Sequence, residues 1–240
     1  MAKRITARDL AIRPLTAARV DDLKAVTAGT WGASCWCLFP RYTAKQRRER
    51  RVDASGDASR RAEMARLARR RHAPGLIAYR DGEPIGWIAI APRAELGRVA
   101  ASRATPPVDA VPVWVIPCIT VRRGHRGEGV AVAMIRAAVD YAARLGAPAV
   151  EGYPRRTSAR LHDDFLFIGN EAMFRRAGFR EVRGVLRPLP KGWTPRVAMR
   201  KTLRTRGAPG ERAPASARGA TATVPPPDTA RPRRSRRTRA

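Results

Sequence analysis

Cysteine is scarce in this chain of 240 residues. Its three cysteines cannot complete an even disulfide framework, so a reduced, cytoplasmic chain is expected. Long apolar runs are missing too: none approaches the ~18 residues of a membrane-spanning helix, which excludes that class. Met1-Ala2-Lys3-Arg4 leads into polar sequence with no apolar segment behind it, so no secretory leader is expected. Acidic residues are few, 20 against 49 basic ones, for a net charge of +29. Lysine is nearly absent: five of the 49 are Lys and the other 44 are Arg, beside abundant Ala, Gly and Pro. That usage is what GC-rich coding produces without selection for a ligand, so the charge alone does not make a nucleic-acid-binding protein. What is present suffices for a core: 44% of residues are apolar, which excludes full disorder.

Composition divides the chain into a domain over 1–203 and a tail over 204–240. The tail has Pro225-Pro226-Pro227, no Leu, Ile or Phe, and ten arginines against two acids, a net +8 that leaves +21 on 1–203. It has little apolar surface to offset ordering entropy, and a disordered tail is expected. Its charge admits two readings, an arm for nucleic acid or an unselected extension. A second basic block, 41–72, carries Met64, Leu67 and Ala68 on one helical face with Arg around it. A solvated helix face is expected there, with a docking helix for a partner or a membrane surface as the alternative.

Between these runs a strand–helix alternation. Strands are expected at 10–15, 76–90 as a hairpin turned at Asp81-Gly82, 113–121, 149–153, 179–185 and 196–203. Helices are expected at 17–28, at 129–145 ended by Gly146, and at 171–177 ended by Gly178. Pro117, inside the apolar run 113–121, cannot donate a ladder hydrogen bond and predicts a bulge or an unpaired edge. The pattern is α/β.

The segment Val121-Arg-Arg-Gly-His-Arg-Gly-Glu-Gly129-Val-Ala131 joins a buried strand to a helix. Gly124, Gly127 and Gly129 let backbone amides approach a ligand, and the helix start adds free amides and partial positive charge. The combination suits a pyrophosphate, with Arg122, Arg123 and Arg126 adding charge. The loop has no Gly-Lys-Ser/Thr, which argues against a Walker A nucleotide site.

Arg126-Gly-Glu-Gly129-Val-Ala131 resembles the Gln/Arg-x-x-Gly-x-Gly/Ala signature of the GNAT (Gcn5-related) N-acetyltransferases. Ile12-Arg-Pro-Leu-Thr, the 76–91 hairpin and Glu171-Ala-Met-Phe174-Arg-Arg-Ala-Gly178-Phe179 fall where that family has its first strand, its second and third strands and its late helix. Cys35-Trp36-Cys37, Ala91-Pro-Arg93 and Glu151-Gly-Tyr-Pro154 look like a bacterial subgroup. The resemblance covers about 10–203. It implies a mixed, mostly antiparallel sheet flanked by helices, with splayed central parallel strands and acetyl-CoA as co-substrate between 113–121 and 148–153. It also implies pyrophosphate on the amides of Arg126, Gly127, Gly129, Val130 and Ala131, and pantetheine paired with Cys118, Ile119, Thr120 and Val121. An amide near Ile119 would polarise the thioester carbonyl. The acceptor would be a primary amine of a small molecule or peptide, attacking directly.

The chain departs from the family at Phe174, which stands, facing the cofactor, where a Tyr often protonates the leaving thiolate. Tyr153 or a water is the expected replacement. Glu151, at the carboxyl end of a core strand, is the first candidate base, and a salt bridge to one of the many arginines is its alternative. His125 reads as a cofactor contact. His72 and His162 are isolated candidates, and Asp163 and Asp164 could contact a cationic substrate, with an N-cap or a solvated loop as their alternative. Cys35, Cys37 and Cys118 could offer three thiolates to a metal, but no fourth ligand stands at a usual spacing, so no metal is expected. The Cys35–Cys37 loop, with Trp31, Trp36 and Phe39, is expected to line the acceptor pocket, shaped also by Arg93. The competing reading is a non-catalytic module that holds coenzyme A or nucleic acid on the same fold. A monomer or homodimer is expected.

Overall fold

The computed structural model describes residues 10–30, 32–156, 167–188 and 194–203. Contacts divide the chain into two units, Met1–Arg206 and Gly207–Ala240, and the fold described here belongs to the first. The tail expected over 204–240 lies outside the described residues, so its readings are not addressed by the fold.

Strands and helices follow in the order β1 (Ala11–Pro14), α1 (Val20–Thr27), α2 (Gly32–Cys35), α3 (Ala44–Glu49), α4 (Asp57–Ala68), β2 (Gly75–Arg80) and β3 (Glu83–Pro92). Then come α5 (Gly97–Ala100), β4 (Trp114–Val121), α6 (Val130–Arg144), β5 (Ala149–Gly152), α7 (Glu171–Arg176), β6 (Arg180–Arg183) and β7 (Ala198–Thr202). Among the described residues seven strands form one sheet, in the order β1-β2-β3-β4-β5-β7-β6. Only the β4–β5 pair is parallel; every other pair is antiparallel. The β2–β3 turn is the one its sequence demands: Asp81 and Gly82 both take positive φ, 49° and 83°, as a two-residue hairpin loop requires.

The sheet is packed on both faces. Along β2 and β3 the period-two alternation sends Leu76, Ala78, Ile88 and Ile90 to the face covered by α6. Ile77, Trp87 and Ala89 go to the face covered by α1 and α4. Helix α6 lies close to the sheet because Gly86 has no side chain: a Cβ there would stand 2.8 Å from Met134 Sδ. Helix α4 is inside the domain and not a docking helix, since Met64, Ala65 and Leu67 are buried against Leu23, Val26 and Trp36. Its surrounding arginines meet acids, Arg61 with Asp21 at 2.7 Å and Arg66 with Glu63 at 2.7 Å.

Pro117 makes the expected bulge. Ala89 faces Cys118 and Ala91 faces Val115, so two residues of β4, Ile116 and Pro117, stand against Ile90 alone. Parallel pairing with β5 ends at the same place, at Ile116↔Gly152. Beyond it the strands diverge, and the stretch 167–170 enters the gap: Ile119 N–H donates to Phe167 O at 2.6 Å and Arg155 N–H to Gly169 O at 3.3 Å. Asn170 then caps α7, its side chain accepting from Met173 N–H at 3.0 Å.

Phe174 is locked beneath this stretch with 0% exposure. Its ring lies against the backbone of Gly152 and Gly169 and meets Phe179 edge-on at 5.1 Å. A Cβ on Gly152 would fall 2.2 Å from Phe174 Cε1. Gly152→Ala should therefore destabilise the domain by about 1–3 kcal/mol through overpacking, read as a lower denaturation midpoint in urea at unchanged slope.

Candidate active site

A cavity of about 220 Å³ runs from the β4–α6 loop along the free edge of β4. The loop folds as its glycines dictate: Gly124, Gly127 and Gly129 have φ of 86°, 81° and 92°, which only glycine adopts without strain. Because α6 begins at Val130, the amides of its first turn have no intrahelical carbonyl and open onto this cavity. Arg126 lines it, with Nε donating to Val121 O at 2.8 Å. Arg122 does not: its guanidinium donates to Glu83 at 2.5 Å and to Pro84 O at 3.2 Å. Arg123 lines neither cavity, so of the three loop arginines only Arg126 faces this one. His125 lines it as well and stands 3.1 Å from Arg80, whose other arm holds Glu128 at 2.8 Å.

A second cavity, of about 540 Å³, opens nearer the start of β4, at Ile116–Cys118, and is lined by Arg98, Arg103, Arg196, Tyr153 and apolar walls. The two cavities share Cys35, Cys37, Cys118 and Phe167. Cys37 is brought to this wall by an unusual turn, with Trp36 and Cys37 both at positive φ, 50° and 51°. The turn buries the Trp36 ring, whose Nε1 donates to Asp57 at 2.6 Å, so Trp36 packs in the core and does not line the acceptor side as expected. Trp31, His162, Asp163 and Asp164 lie outside the described residues. Cys37 Sγ is 3.1 Å from Cys118 Sγ and accepts from Trp87 Nε1 at 3.0 Å. Burial pushes the Cys35 thiol up to about 11. The Cys118 contact and burial push Cys37 well above the ordinary thiol value. Among the described residues no three His, Cys, Asp or Glu side chains converge as a metal site would need.

Behind the second cavity is a chain of charges. Glu151, 1% exposed, receives Arg200 at 2.5 and 2.8 Å and the Tyr153 hydroxyl at 2.5 Å. Arg200 also grips Asp109 at 2.6 and 3.0 Å. Arg93 donates to Tyr153 Oη at 2.5 Å and to the Val99 and Thr105 carbonyls. Burial, and then the neighbouring Glu151, push the Tyr153 phenol above its ordinary value, so it holds its proton at neutral pH. Glu151 itself reaches neither cavity.

The model of the acetyltransferase (GNAT) family matches residues 38–163, more than half of the chain. The chain belongs to the GNAT acetyltransferase family. Among solved structures, a polyamine N-acetyltransferase of Drosophila melanogaster is similar at 11% identity, over 81% of this chain and 100% of that one, with a TM-score of 0.51. An acetyltransferase of Corynebacterium glutamicum described as histone acetyltransferase HPA2 and related shares 18% identity over 82% and 97%, with a TM-score of 0.49. The PaiA N-acetyltransferase of Thermoplasma acidophilum, in complex with coenzyme A, shares 13% over 80% and 98%, with a TM-score of 0.45. No curated protein matches. The co-substrate of GNAT proteins is acetyl-CoA.

Against this GNAT frame, the expected residues sort cleanly. Cys118, Ile119, Thr120, Val121, Arg126, Gly127, Gly129, Val130 and Ala131 all line the loop cavity. Phe174 does not: it is buried behind 167–170, and Met173 and Arg176 of the same helix face the cavity in its place. The Ile119 amide does not point into free space, because Phe167 O already accepts from it. Glu151 forms the salt bridge that was its alternative, with Arg200 as partner, and it also accepts from the Tyr153 hydroxyl, which lines the second cavity. His72 is paired with Glu95 at 3.0 Å, away from both cavities. Sequence reasoning missed Arg98, Arg103 and Arg196, which no local motif marks.

The raised thiols give a pH prediction. Both Cys35 and Cys37 stay neutral in the fold below the ordinary thiol value of 9.0. As pH climbs from there through about 11, thiols of the unfolded chain ionise first, so their contribution to stability is lost. Iodoacetamide at pH 8 should label the native chain at least ~10-fold more slowly than the urea-unfolded chain, followed by mass spectrometry.

Proposed function

We propose that the chain transfers the acetyl group of acetyl-CoA to a primary amine held in the larger cavity. The observation that carries this reading is the shared wall: the loop cavity and the acceptor cavity meet at Cys37, Cys118 and Phe167. The loop amides and the start of α6 suit the pyrophosphate. Strand alternation leaves the Val121 amide on the open edge, since Arg122 N–H is turned the other way to Ile85 O at 2.9 Å. Pantetheine runs from there toward Cys118, which sets the thioester where the cavities meet. The amine then attacks the carbonyl carbon, the C–S bond breaks, and coenzyme A leaves as a thiolate. A thiol of pKa near 8.5 leaves without a strong acid, so the missing hydroxyl on Phe174 is no bar to turnover.

Tyr153 is the group proposed to orient the acceptor amine or the water that takes its proton. Glu151 is a positioning residue, holding the phenol from behind with Arg93 on its other side. In a thiol-release assay with acetyl-CoA and an amine library, the full chain should turn over, and Tyr153→Phe should lower kcat about 10- to 100-fold while acetyl-CoA affinity by calorimetry is unchanged. Gly129→Asp should abolish that affinity, because it places a side chain and a negative charge among the loop amides. A chain that binds no acetyl-CoA and releases no thiol would sink the proposal.

A further inference from the structure

The acceptor cavity has an uneven chemistry. Some arginines in this fold find carboxylates: Arg47 with Asp53, Arg80 with Glu128 and Arg200 with Asp109 and Glu151 are examples. The arginines of the acceptor cavity do not. Arg98, Arg103 and Arg196 line it, and none makes an ion pair with any carboxylate among the described residues. No Asp or Glu stands among the described lining residues. Arg98 is held in place, its Nε donating to Phe39 O at 3.1 Å and its guanidinium lying 4.0 Å over the Phe39 ring. Arg196 is buried enough that desolvation pushes its guanidinium below the ordinary value, and Arg155 beside it adds like charge.

We infer that the acceptor is a primary amine that also carries an anionic group, a carboxylate or a phosphate, bound by the guanidinium of Arg196 with Arg98 and Arg103. This rests on the acetyl-transfer reading of the cavity. Guanidiniums at a partly buried site lack only a counter-ion, and a carboxylate or phosphate supplies it with bidentate geometry. A polycationic acceptor would meet like charge with no carboxylate among the described lining residues to hold it. The apolar walls, Phe39, Val99, Ile116, Pro117 and Ile168, suit a hydrocarbon body between the anion and the amine. The same positive field disfavours an ammonium, so it helps release the attacking amine from its proton without a carboxylate base.

The test uses the full chain with acetyl-CoA and four amines: phenylalanine, phenethylamine, 3-aminopropylphosphonate and spermidine. Phenylalanine and phenethylamine differ only in the carboxylate. An anionic amine should exceed phenethylamine and spermidine by about 10- to 100-fold in kcat/KM, the scale of one charge-assisted hydrogen-bonded contact. Phenylalanine against the phosphonate then tells which anion is read. Arg196→Met should collapse that ratio and Arg196→Lys should restore part of it, with acetyl-CoA affinity verifying that each variant folds. Spermidine or phenethylamine as the better acceptor would overturn the anionic class while leaving acetyl transfer intact. If no amine is acetylated, calorimetry on the coenzyme A complex separates the two claims. Binding of phenylalanine or the phosphonate that Arg196→Met removes keeps the anion site and sinks turnover, whereas no binding of either sinks the anion site.

Discussion

Everything at the site depends on one missing hydrogen-bond donor. Pro117 cannot donate to a ladder, and β4 accommodates it by setting two residues against one of β3. The extra residue reverses the phase of the strand. Trp114 and Ile116 face α6, and so does Ile119, while Cys118 turns to the opposite face beside Cys37 and Trp87. The same kink ends the parallel pairing with β5 and leaves an edge of β4 exposed to a cavity. A single imino acid thus opens the sheet and chooses which side chains meet at the opening.

The gap so made is only partly left free. Residues 167–170 enter it, take the Ile119 amide and seal Phe174 into the core. That stretch divides the space beside β4 into two cavities with a thin common wall of three thiols and one aromatic ring. The cavities treat charge differently. On the loop side, attraction for an anion comes from oriented backbone amides and a helix start, helped by Arg126. On the other side the described lining carries guanidiniums and no carboxylate, with Glu151 behind Tyr153. In the Arg200–Glu151–Tyr153–Arg93 chain two guanidiniums flank one buried carboxylate, and Asp109 supplies the second carboxylate to Arg200. Net charge is accordingly a poor guide in this protein: some arginines are paired with carboxylates, as Arg47, Arg80 and Arg200 are, and others are not.

Much of this was legible in the chain wherever a residue's own backbone demanded one conformation. Asp81-Gly82 encoded the hairpin, Gly124, Gly127 and Gly129 encoded the loop, Gly146 and Gly178 the helix ends, and Pro117 the bulge. Each is a constraint on φ or on a single hydrogen bond, so it survives being read without neighbours. The opposite holds for Glu151, Phe174 and Trp36. Their positions in the sequence were compatible with a base, a cofactor contact and a pocket wall. Which way each side chain turned depended on partners elsewhere in the chain: Arg200 for Glu151, Gly152 and Gly169 for Phe174, Asp57 for Trp36.

The sequence by itself determined the α/β order, the glycine-rich loop before α6 and the break in β4, because backbone geometry is local. Tertiary structure alone decided which charges remain unpaired. Electrostatic satisfaction is a property of distances in space, and 44 arginines spread along a chain say nothing about which of them will find an acid. Folding gives carboxylate partners to Arg47, Arg80 and Arg200, and leaves Arg98, Arg103 and Arg196 around an open cavity with none among the described residues.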